Sequence, residues 1–289
     1  MNRADRQVWV NGSFYSAGEP ALPAEIRGAM YGVGCFETFL VRDRRVLDLD
    51  KHLERFRKGS TYLGVQPPVP LDESLPGDLI NSLIKKNSLP SEEAVVRMQL
   101  LSSGSRGYGP DAEEGYLILS ASRWNPMQAG GITLHLTDTR TVPAICRPPD
   151  LKLSNSLHYL MAYRESAANG ADDGILLSVE GYVAETSKAN LFWRQGETVY
   201  TPSPDCDILP GTMRNRIIDL LTSEGIELVE GRFSPGKMLE ADLLWVTNSL
   251  YGISPVGRMS EREWPVEDHL YRFIREQLEE EWNNLEISE

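Results

Sequence analysis

The sequence predicts a mixed α/β protein of two domains, and three observations support this prediction. Its 289 residues correspond to about two domains at roughly 150 residues each. With 41% hydrophobic and 25% charged residues, the composition is that of a globular protein, which excludes disordered, collagen-like and coiled-coil architectures. Short strand-like runs alternate with amphipathic helices without a strict β-α-β rhythm, which argues against a dinucleotide-binding fold or a barrel.

The charge balance and the absence of certain motifs exclude several classes of function. The 29 Lys and Arg residues are outnumbered by 42 Asp and Glu residues, so no nucleic acid is expected as a partner. No apolar run is long enough to span a membrane and the first six residues are too polar for a signal peptide, so we expect a cytoplasmic protein without a membrane partner. Cys35, Cys146 and Cys206 are far apart and the four histidines are scattered, so neither a metal site nor a catalytic triad is expected.

We assign residues 1–124 to a smaller N-terminal α/β domain. A strand over 8–10 leads into an Asn11-Gly12 turn of the kind that joins hairpins. From Asp50 onward, Leu53, Phe56 and Leu63 recur at helical spacing while charged residues occupy the other face. The further predicted elements are a strand over 35–41, a helix over 75–86, and strands over 94–101 and 116–121.

Residues 125–131 form the predicted linker, because the periodicity lapses there. Residues 132–289 form a larger C-terminal domain. Its predicted helices cover 155–169, a segment beginning after Pro210-Gly211, 235–240 and the C-terminal region, and its predicted strands cover 132–137, 175–179, 190–193, 199–200, 226–229 and 243–247.

Lys152 stands out among only seven lysines. It lies between Leu151 and Leu153, and apolar neighbours disfavour the charged form of an amine. A partly desolvated lysine is a nucleophile that can form a Schiff base. The alternative is a lysine that extends from a strand edge into solvent.

Several other residues are candidates for binding charged groups. Glu185 lies in an apolar, hairpin-like region, where a buried carboxylate needs a cationic partner, although an exposed glutamate is the alternative. Arg55 fits either a solvated helix position or a bidentate phosphate clamp. The backbone amides of Thr212 and Met213 follow Pro210-Gly211 at a predicted helix start and would face an anion. Asn248 and Ser249 offer polar donors at the end of a strand.

Five ordered motifs give these residues a common context. They are residues 30–38 (MYGVGCFET), 52–56 (HLERF), Lys152 with Asn155, 181–185 (GYVAE) leading to 189–192 (ANLF), and 209–214 (LPGTMR). Together they resemble the fold-type IV, or class IV, pyridoxal-phosphate enzymes, which include 4-amino-4-deoxychorismate lyases and the D-amino-acid and branched-chain aminotransferases.

The resemblance implies a D-amino-acid-aminotransferase-like fold, a homodimer, and pyridoxal 5'-phosphate in the interdomain cleft. In this interpretation Lys152 forms the Schiff base with the cofactor and Glu185 pairs with its pyridine nitrogen. Arg55, the Thr212 and Met213 amides, and Asn248 with Ser249 match the positions that bind the phosphate.

Departures from the family patterns favour the lyases. No tyrosine follows Lys152 closely, unlike in branched-chain aminotransferases, and Ser103-Gly104 replaces the carboxylate-trapping arginine of the D-amino-acid enzymes. Residues 104–108 (GSRGY) are similar to a loop of many lyases. The predicted reaction converts 4-amino-4-deoxychorismate to 4-aminobenzoate and pyruvate; the alternatives are a class IV aminotransferase for D-amino or branched-chain amino acids and a non-catalytic relative.

The substrate is expected to be a small amine. Arg106 fits either a solvated loop position or a partner for a substrate carboxylate. The other residues that we expect near the substrate are Glu37, Tyr108, Tyr31 and Arg97.

Overall fold

A computed structural model describes residues 6–70, 74–90, 93–108, 113–126 and 130–285. The helices are α1 (Arg27–Tyr31), α2 (Leu49–Leu63), α3 (Ser74–Lys86), α4 (Leu157–Ala168), α5 (Thr212–Ser223), α6 (Pro235–Leu239) and α7 (His269–Asn284). The strands are β1 (Gln7–Val10), β2 (Ser13–Ser16), β3 (Gly34–Arg42), β4 (Val65–Gln66), β5 (Glu93–Ser102), β6 (Glu113–Arg123), β7 (Ile132–Arg140), β8 (Asp173–Leu177), β9 (Val183–Thr186), β10 (Asn190–Gln195), β11 (Thr198–Pro202), β12 (Leu228–Gly231), β13 (Leu243–Asn248), β14 (Gly252–Met259) and β15 (Arg262–Glu263).

The chain forms two compact units that are not continuous in sequence. The first contains the residues up to Asn125 together with the segment Leu151–Asn155 and Leu285. The second contains Pro126–Asp150 and Ser156–Asn284. The segment that carries Lys152 therefore belongs to the first unit, although it follows the beginning of the second.

The first unit is built on one six-stranded sheet. Its strands run in the order β2-β1-β6-β5-β3, and the short β4 pairs in parallel with β6. At the hairpin between β1 and β2, Asn11 and Gly12 both have positive φ, as the two central residues of a type I′ turn require. Side chains of β3 and β5 alternate between buried and half-buried, so one face of the sheet forms the core with Leu53, Phe56 and Leu83 of α2 and α3.

Most strands of the second unit form a ring. The sheet order is β12-β11-β10-β13-β14-β7-β8-β9, and β9 pairs again with β10 at Glu185 and Asn190, which closes six strands on themselves. The core contains Trp193, Val183 and Val246, and α4 packs on β7 and β8. Glu185, the residue expected to act on the cofactor, thus lies at the point where the ring closes.

The structure contains elements that the sequence did not predict. These are α1, β2, β4, β9, β14 and β15. β14 contains Pro255, a residue that argues against a strand with neighbours on both sides, yet β14 pairs with β13 and β7, and its register shifts between Val256 and Arg258. Among the residues described, no helix is both long and apolar enough to cross a membrane.

Candidate active site

Lys152 lies on a short extended segment at the edge of the first unit's sheet. This segment runs beside β3, where the Phe36 amide donates to the Lys152 carbonyl over 2.9 Å and the Ser154 amide donates to the Gly34 carbonyl over 2.8 Å. Helix α4 begins only at Leu157. Backbone pairing with β3 therefore holds the lysine, ahead of the helix that we predicted from residue 155.

The side chain of Lys152 points away from the core of its unit. Leu151 and Leu153 are both buried in that core, and successive side chains of an extended segment point to opposite sides. The Nζ atom of Lys152 lies 4.7 Å from the centroid of the Phe36 ring. Phe36 is half-buried on the face of β3 opposite the core, so the amine lies over an aromatic surface.

Glu37 and Arg55 form a buried ion pair with His52. Glu37 Oε1 accepts a hydrogen bond from Arg55 Nε over 2.6 Å, and Oε2 accepts one from Arg55 Nη2 over 2.7 Å. His52 Nδ1 lies 2.7 Å from the same Oε2. Burial alone would raise the pKa of the Glu37 carboxyl, but Arg55 and His52 outweigh it and lower the pKa to about 2. The guanidinium of Arg55 is therefore fixed in orientation, as a phosphate clamp requires.

Arg97 lies on the half-buried face of the first unit's sheet. Its guanidinium stands 3.7 Å from the centroid of the Phe36 ring, and burial lowers its pKa below the usual value. No residue in the described ranges forms an ion pair or a hydrogen bond with this guanidinium. The guanidinium of Arg97 and the amine of Lys152 thus lie against the same aromatic ring.

The loop that contains Arg106 is attached to α1. Arg27 Nε, at the start of α1, donates to the carbonyls on both sides of Arg106 over 3.1 and 3.0 Å. The rings of Tyr31 and Tyr108 stack with centroids 5.5 Å apart. Arg106 itself is exposed. The structure therefore brings together three of the residues expected near the substrate, and Arg27 is an additional residue that the sequence did not single out.

Glu185 is a buried carboxylate of the second unit that accepts hydrogen bonds from Tyr159, Leu209 and Asn190. Oε1 accepts from the Tyr159 hydroxyl over 2.5 Å and from the Leu209 amide over 3.0 Å, and Oε2 accepts from Asn190 Nδ2 over 3.1 Å. The residue is 4% exposed. Hydrogen bonds to the ionised form stabilise a buried carboxylate, so these donors suit an ionised Glu185, and the cationic partner that the sequence suggested stays a prediction.

Asn190 connects Glu185 to the start of α5. Besides its bond to Glu185, its Nδ2 donates to the Leu209 carbonyl over 2.8 Å and its Oδ1 accepts from the Gly211 amide over 3.2 Å. A Cβ atom on Gly211 would lie 2.4 Å from Asn190 Oδ1, so any larger residue here would force the Asn190 side chain to shift. Gly211 caps α5 without any side-chain capping bond.

Thr212 and Met213, expected to bind the phosphate, form the first turn of α5. Backbone amides in a first helical turn have no acceptor inside the helix and attract anions. Asn248 and Ser249 lie at the end of β13, whose Thr247 pairs with Asn190. Asn248 Oδ1 accepts from the Leu250 amide over 2.9 Å, so its side chain shapes the turn into β14, and its contact with phosphate stays a prediction.

Three residues around Glu185 were not assigned from the sequence. They are Tyr159, which contacts Glu185; Arg147, whose guanidinium interacts with Tyr159; and Asn190. A signal was present only for Asn190, because it follows the GYVAE motif within the ANLF motif.

These residues offer the chemistry that a phosphorylated pyridine aldehyde needs. Taken separately, the first unit contains an amine and a fixed arginine, and the second contains a carboxylate that is hydrogen-bonded to Asn190, near a helix whose N-cap Gly211 has no side-chain capping bond. A carboxylate suits a protonated ring nitrogen, a helix start suits a phosphate, and an amine suits an aldehyde.

Comparison with known proteins identifies the class. The sequence model of the family described as Amino-transferase class IV matches residues 34–259, and the chain belongs to this family. It is therefore a pyridoxal-phosphate-dependent lyase or aminotransferase with pyridoxal 5'-phosphate as its cofactor, as the sequence predicted.

Within this family, the chain is similar to both lyases and aminotransferases. The chain is 31% identical to an aminodeoxychorismate lyase of Bacillus subtilis over 88% of its own length and 87% of the relative's. It is 29% identical to an aminodeoxychorismate lyase of Vibrio harveyi over 92% and 96% of the two chains. A branched-chain-amino-acid aminotransferase of Pseudomonas aeruginosa is 24% identical over 91% and 88% of the two chains.

Solved structures share the fold. A branched-chain aminotransferase of Thermoproteus uzoniensis superposes with a TM-score of 0.86 at 22% identity, covering 95% of this chain and 93% of that one. A putative 4-amino-4-deoxychorismate lyase of Legionella pneumophila superposes with a TM-score of 0.80 at 25% identity, covering 91% and 96%. The predicted mixed α/β fold of the class IV enzymes is confirmed.

Proposed function

We propose that this chain is a lyase that converts 4-amino-4-deoxychorismate to 4-aminobenzoate and pyruvate. The observation that carries the proposal of a cofactor-dependent reaction is the buried carboxylate of Glu185, with its three donors. The two lyase relatives, each similar over almost the whole chain, support the choice of substrate.

We assign the cofactor contacts as follows. Lys152 holds the cofactor covalently through Nζ, and Glu185 pairs with the pyridine nitrogen. The phosphate is bound by Arg55 and by the amides of Thr212 and Met213, with Asn248 and Ser249 contributing from the end of β13. When bound, pyridoxal phosphate supplies a ring that withdraws the electrons left behind when a C–H bond next to the amine breaks.

The residues of this chain then handle the proton. Once the substrate amine has replaced Lys152, the free amine of Lys152 removes the proton from the amine-bearing ring carbon. The C–O bond to the enolpyruvyl group breaks, and its electron pair leaves with the oxygen. Enolpyruvate takes up a proton and becomes pyruvate. The remaining ring becomes aromatic, and it leaves as 4-aminobenzoate when the amine of Lys152 takes the place of its amine again.

Two arginines are suited to the carboxylates of this substrate. Arg97 is a half-buried cation without an ion-pair partner among the described residues, and Arg106 is exposed at the tip of a loop that Arg27 fixes. Guanidinium groups bind carboxylates in a bidentate manner. Tyr31 and Tyr108 support the loop by stacking, and Glu37 acts through Arg55.

Borohydride reduction tests the role of Lys152. Reduction of the holoenzyme followed by peptide mass spectrometry should find the cofactor on Lys152. Lys188 is the matched control, because its Nζ also stands over an aromatic ring, 3.9 Å from the centroid of Tyr163. Lys188→Ala should keep the label and Lys152→Ala should lose it; a label on any other lysine contradicts the assignment.

The reaction is tested by two parallel assays on the same preparation. One measures pyruvate released from 4-amino-4-deoxychorismate, and the other measures amino transfer from D-amino and branched-chain amino acids to 2-oxoglutarate. Pyruvate release is expected. Amino transfer alone would establish the aminotransferase alternative instead, and no cofactor absorbance after adding pyridoxal phosphate would favour a non-catalytic relative.

Glu185→Gln tests the carboxylate. The amide keeps the size of the side chain but removes its charge, so the variant should still bind the cofactor and lose most of its turnover. Absorbance spectra measure the first effect and the pyruvate assay the second. Full activity of the variant would rule out the proposed role of Glu185.

We further propose that the chain forms a homodimer through the exposed side of α4. Leu157, Leu160 and Met161 are exposed there at 67%, 54% and 44%, and a contiguous exposed apolar patch marks an interaction surface. Sedimentation should find a dimer that Leu160→Glu dissociates. Val179→Glu, at a residue of similar exposure away from α4, should leave the dimer intact; a monomeric native protein would contradict the proposal.

We also propose a cytoplasmic location. Cys35, Cys146 and Cys206 are all free thiols, which suits a reducing compartment. Cell fractionation with an antibody against the chain tests this, and recovery with the membrane fraction would contradict it.

A further inference from the structure

Glu185 is the last member of a chain of hydrogen bonds within the second unit. The Tyr159 hydroxyl, on α4, donates to Glu185 Oε1 over 2.5 Å. On its other side the same hydroxyl interacts with the guanidinium of Arg147, through a hydrogen bond and through charge. Three residues from three separate segments are thus connected through a single phenol oxygen.

The chemistry of the guanidinium determines which group donates in each hydrogen bond of this chain. A guanidinium has only N–H groups and cannot accept a hydrogen bond, so Arg147 must donate to the Tyr159 oxygen. The single proton of the phenol is then left for the carboxylate. Burial raises the pKa of Tyr159 well above its usual value, the charge of Glu185 raises it further, and Arg147 opposes both. The phenol therefore remains a donor at neutral pH.

His158 is a further titratable group beside this chain of hydrogen bonds. His158 lies beside Tyr159, with ring centroids 3.9 Å apart. Burial, and then the charge of Arg147, lower the pKa of His158 to about 4. The imidazole is therefore neutral at pH 7, whereas Arg147 is a cation that lowers the pKa of Tyr159.

The hydrogen-bond donors to Glu185 determine how strongly its carboxylate competes for a shared proton. Each hydrogen bond to the carboxylate stabilises its ionised form and reduces its affinity for a proton. Tyr159 gives the shortest of the three bonds that Glu185 accepts from Tyr159, Leu209 and Asn190. Removing the phenol hydroxyl should therefore make Glu185 a stronger base.

We propose that Tyr159, oriented by Arg147, is a positioning residue that keeps the proton shared by Glu185 and the cofactor's pyridine nitrogen on the nitrogen. This inference rests on the proposed role of Glu185. It adds that the carboxylate alone does not keep the pyridine nitrogen protonated. Without the phenol donor, the carboxylate would draw the proton away from the nitrogen, and the ring would withdraw electrons less strongly.

The test reads the proton directly and does not depend on turnover. The holoenzyme is reconstituted with cofactor labelled with 15N in the ring, and the nitrogen resonance is recorded by NMR at pH 7. The wild type should give a resonance typical of a protonated nitrogen and Glu185→Gln that of an unprotonated one. Tyr159→Phe, which keeps the ring and removes only the hydroxyl, should lie between them.

A matched control comes from the same helix. Tyr163 lies one turn after Tyr159 on α4, is exposed, and has its ring under Lys188. Tyr163→Phe removes the same hydroxyl without touching Glu185, so its resonance should coincide with that of the wild type.

The possible failures can be told apart. If Glu185→Gln leaves the resonance unchanged, the proposed role of Glu185 is wrong. If Glu185→Gln moves it and Tyr159→Phe does not, that role stands and the inference about Tyr159 is overturned.

A second measurement needs no cofactor. With 13C-labelled glutamate in the apoprotein, the carboxyl pKa of Glu185 should rise in Tyr159→Phe and should rise by a smaller amount in Arg147→Met. An unchanged pKa in Tyr159→Phe would also overturn the inference.

Discussion

Replacing Glu37 by glutamine should destabilise the protein, and more at neutral than at acid pH. Glu37 is fully buried between Arg55 and His52, and its pKa falls from an ordinary 4.5 to about 2 in the folded protein. A difference of this size corresponds to roughly 3 kcal/mol of stability at pH 7. Because the folded pKa is the lower one, this contribution is complete above pH 4.5 and is lost as the pH falls toward 2.

Urea denaturation of the apoprotein at two pH values measures the effect. At pH 7 the free energy of unfolding of Glu37→Gln should be about 3 kcal/mol below that of the wild type, and at pH 3 the gap should shrink to about 1 kcal/mol. The other carboxylates are common to both proteins, so they largely cancel in the difference. Glu54→Gln, on the exposed side of α2, the helix that carries Arg55 and His52, is the control and should change little. A gap that is absent, or equal at both pH values, would refute the reasoning.

Three further perturbations address other parts of the molecule. Gly211→Ala puts a Cβ atom 2.4 Å from Asn190 Oδ1, so cofactor affinity measured by fluorescence titration of the apoprotein should fall; unchanged affinity would show that the helix start does not need this contact. Trp193→Ala empties a fully buried site next to the rings of Tyr200 and Phe233 and should cost about 3–5 kcal/mol in urea denaturation, whereas a loss below about 1 kcal/mol would contradict the packing. Iodoacetamide followed by mass spectrometry should label the exposed Cys146 and spare Cys35, whose pKa burial and the charge of Glu37 raise to about 12; rapid labelling of Cys35 would disprove this.

Long elements with a regular pattern could be predicted from the sequence. The stripe of Leu53, Phe56 and Leu63 predicted a helix from Asp50, and α2 covers Leu49–Leu63. The five residues of α1 are too few to show any period. β14 includes Pro255 and two glycines, so its pairing partners, and not its own propensities, make it a strand.

The residues of the candidate site likewise divide into those that the sequence could predict and those that it could not. Lys152, Glu185 and Arg55 could be chosen because each lies in a motif that is contiguous along the chain. The partners of Glu185 could not, because Tyr159 precedes it by 26 residues and reaches it only through the packing of α4 on the ring of strands. The pairing of Arg55 with Glu37 likewise depends on α2 lying against β3.

The placement of residues 151–155 has a consequence for how the protein is made. Domains generally fold in order as a chain leaves the ribosome, but the N-terminal unit here lacks Leu151 and Leu153 in its core until those residues have been synthesised. A nascent chain that ends near Asn125 would therefore expose an unfinished sheet edge at β3. The segment that completes this edge also contains Lys152, the residue that we propose holds the cofactor.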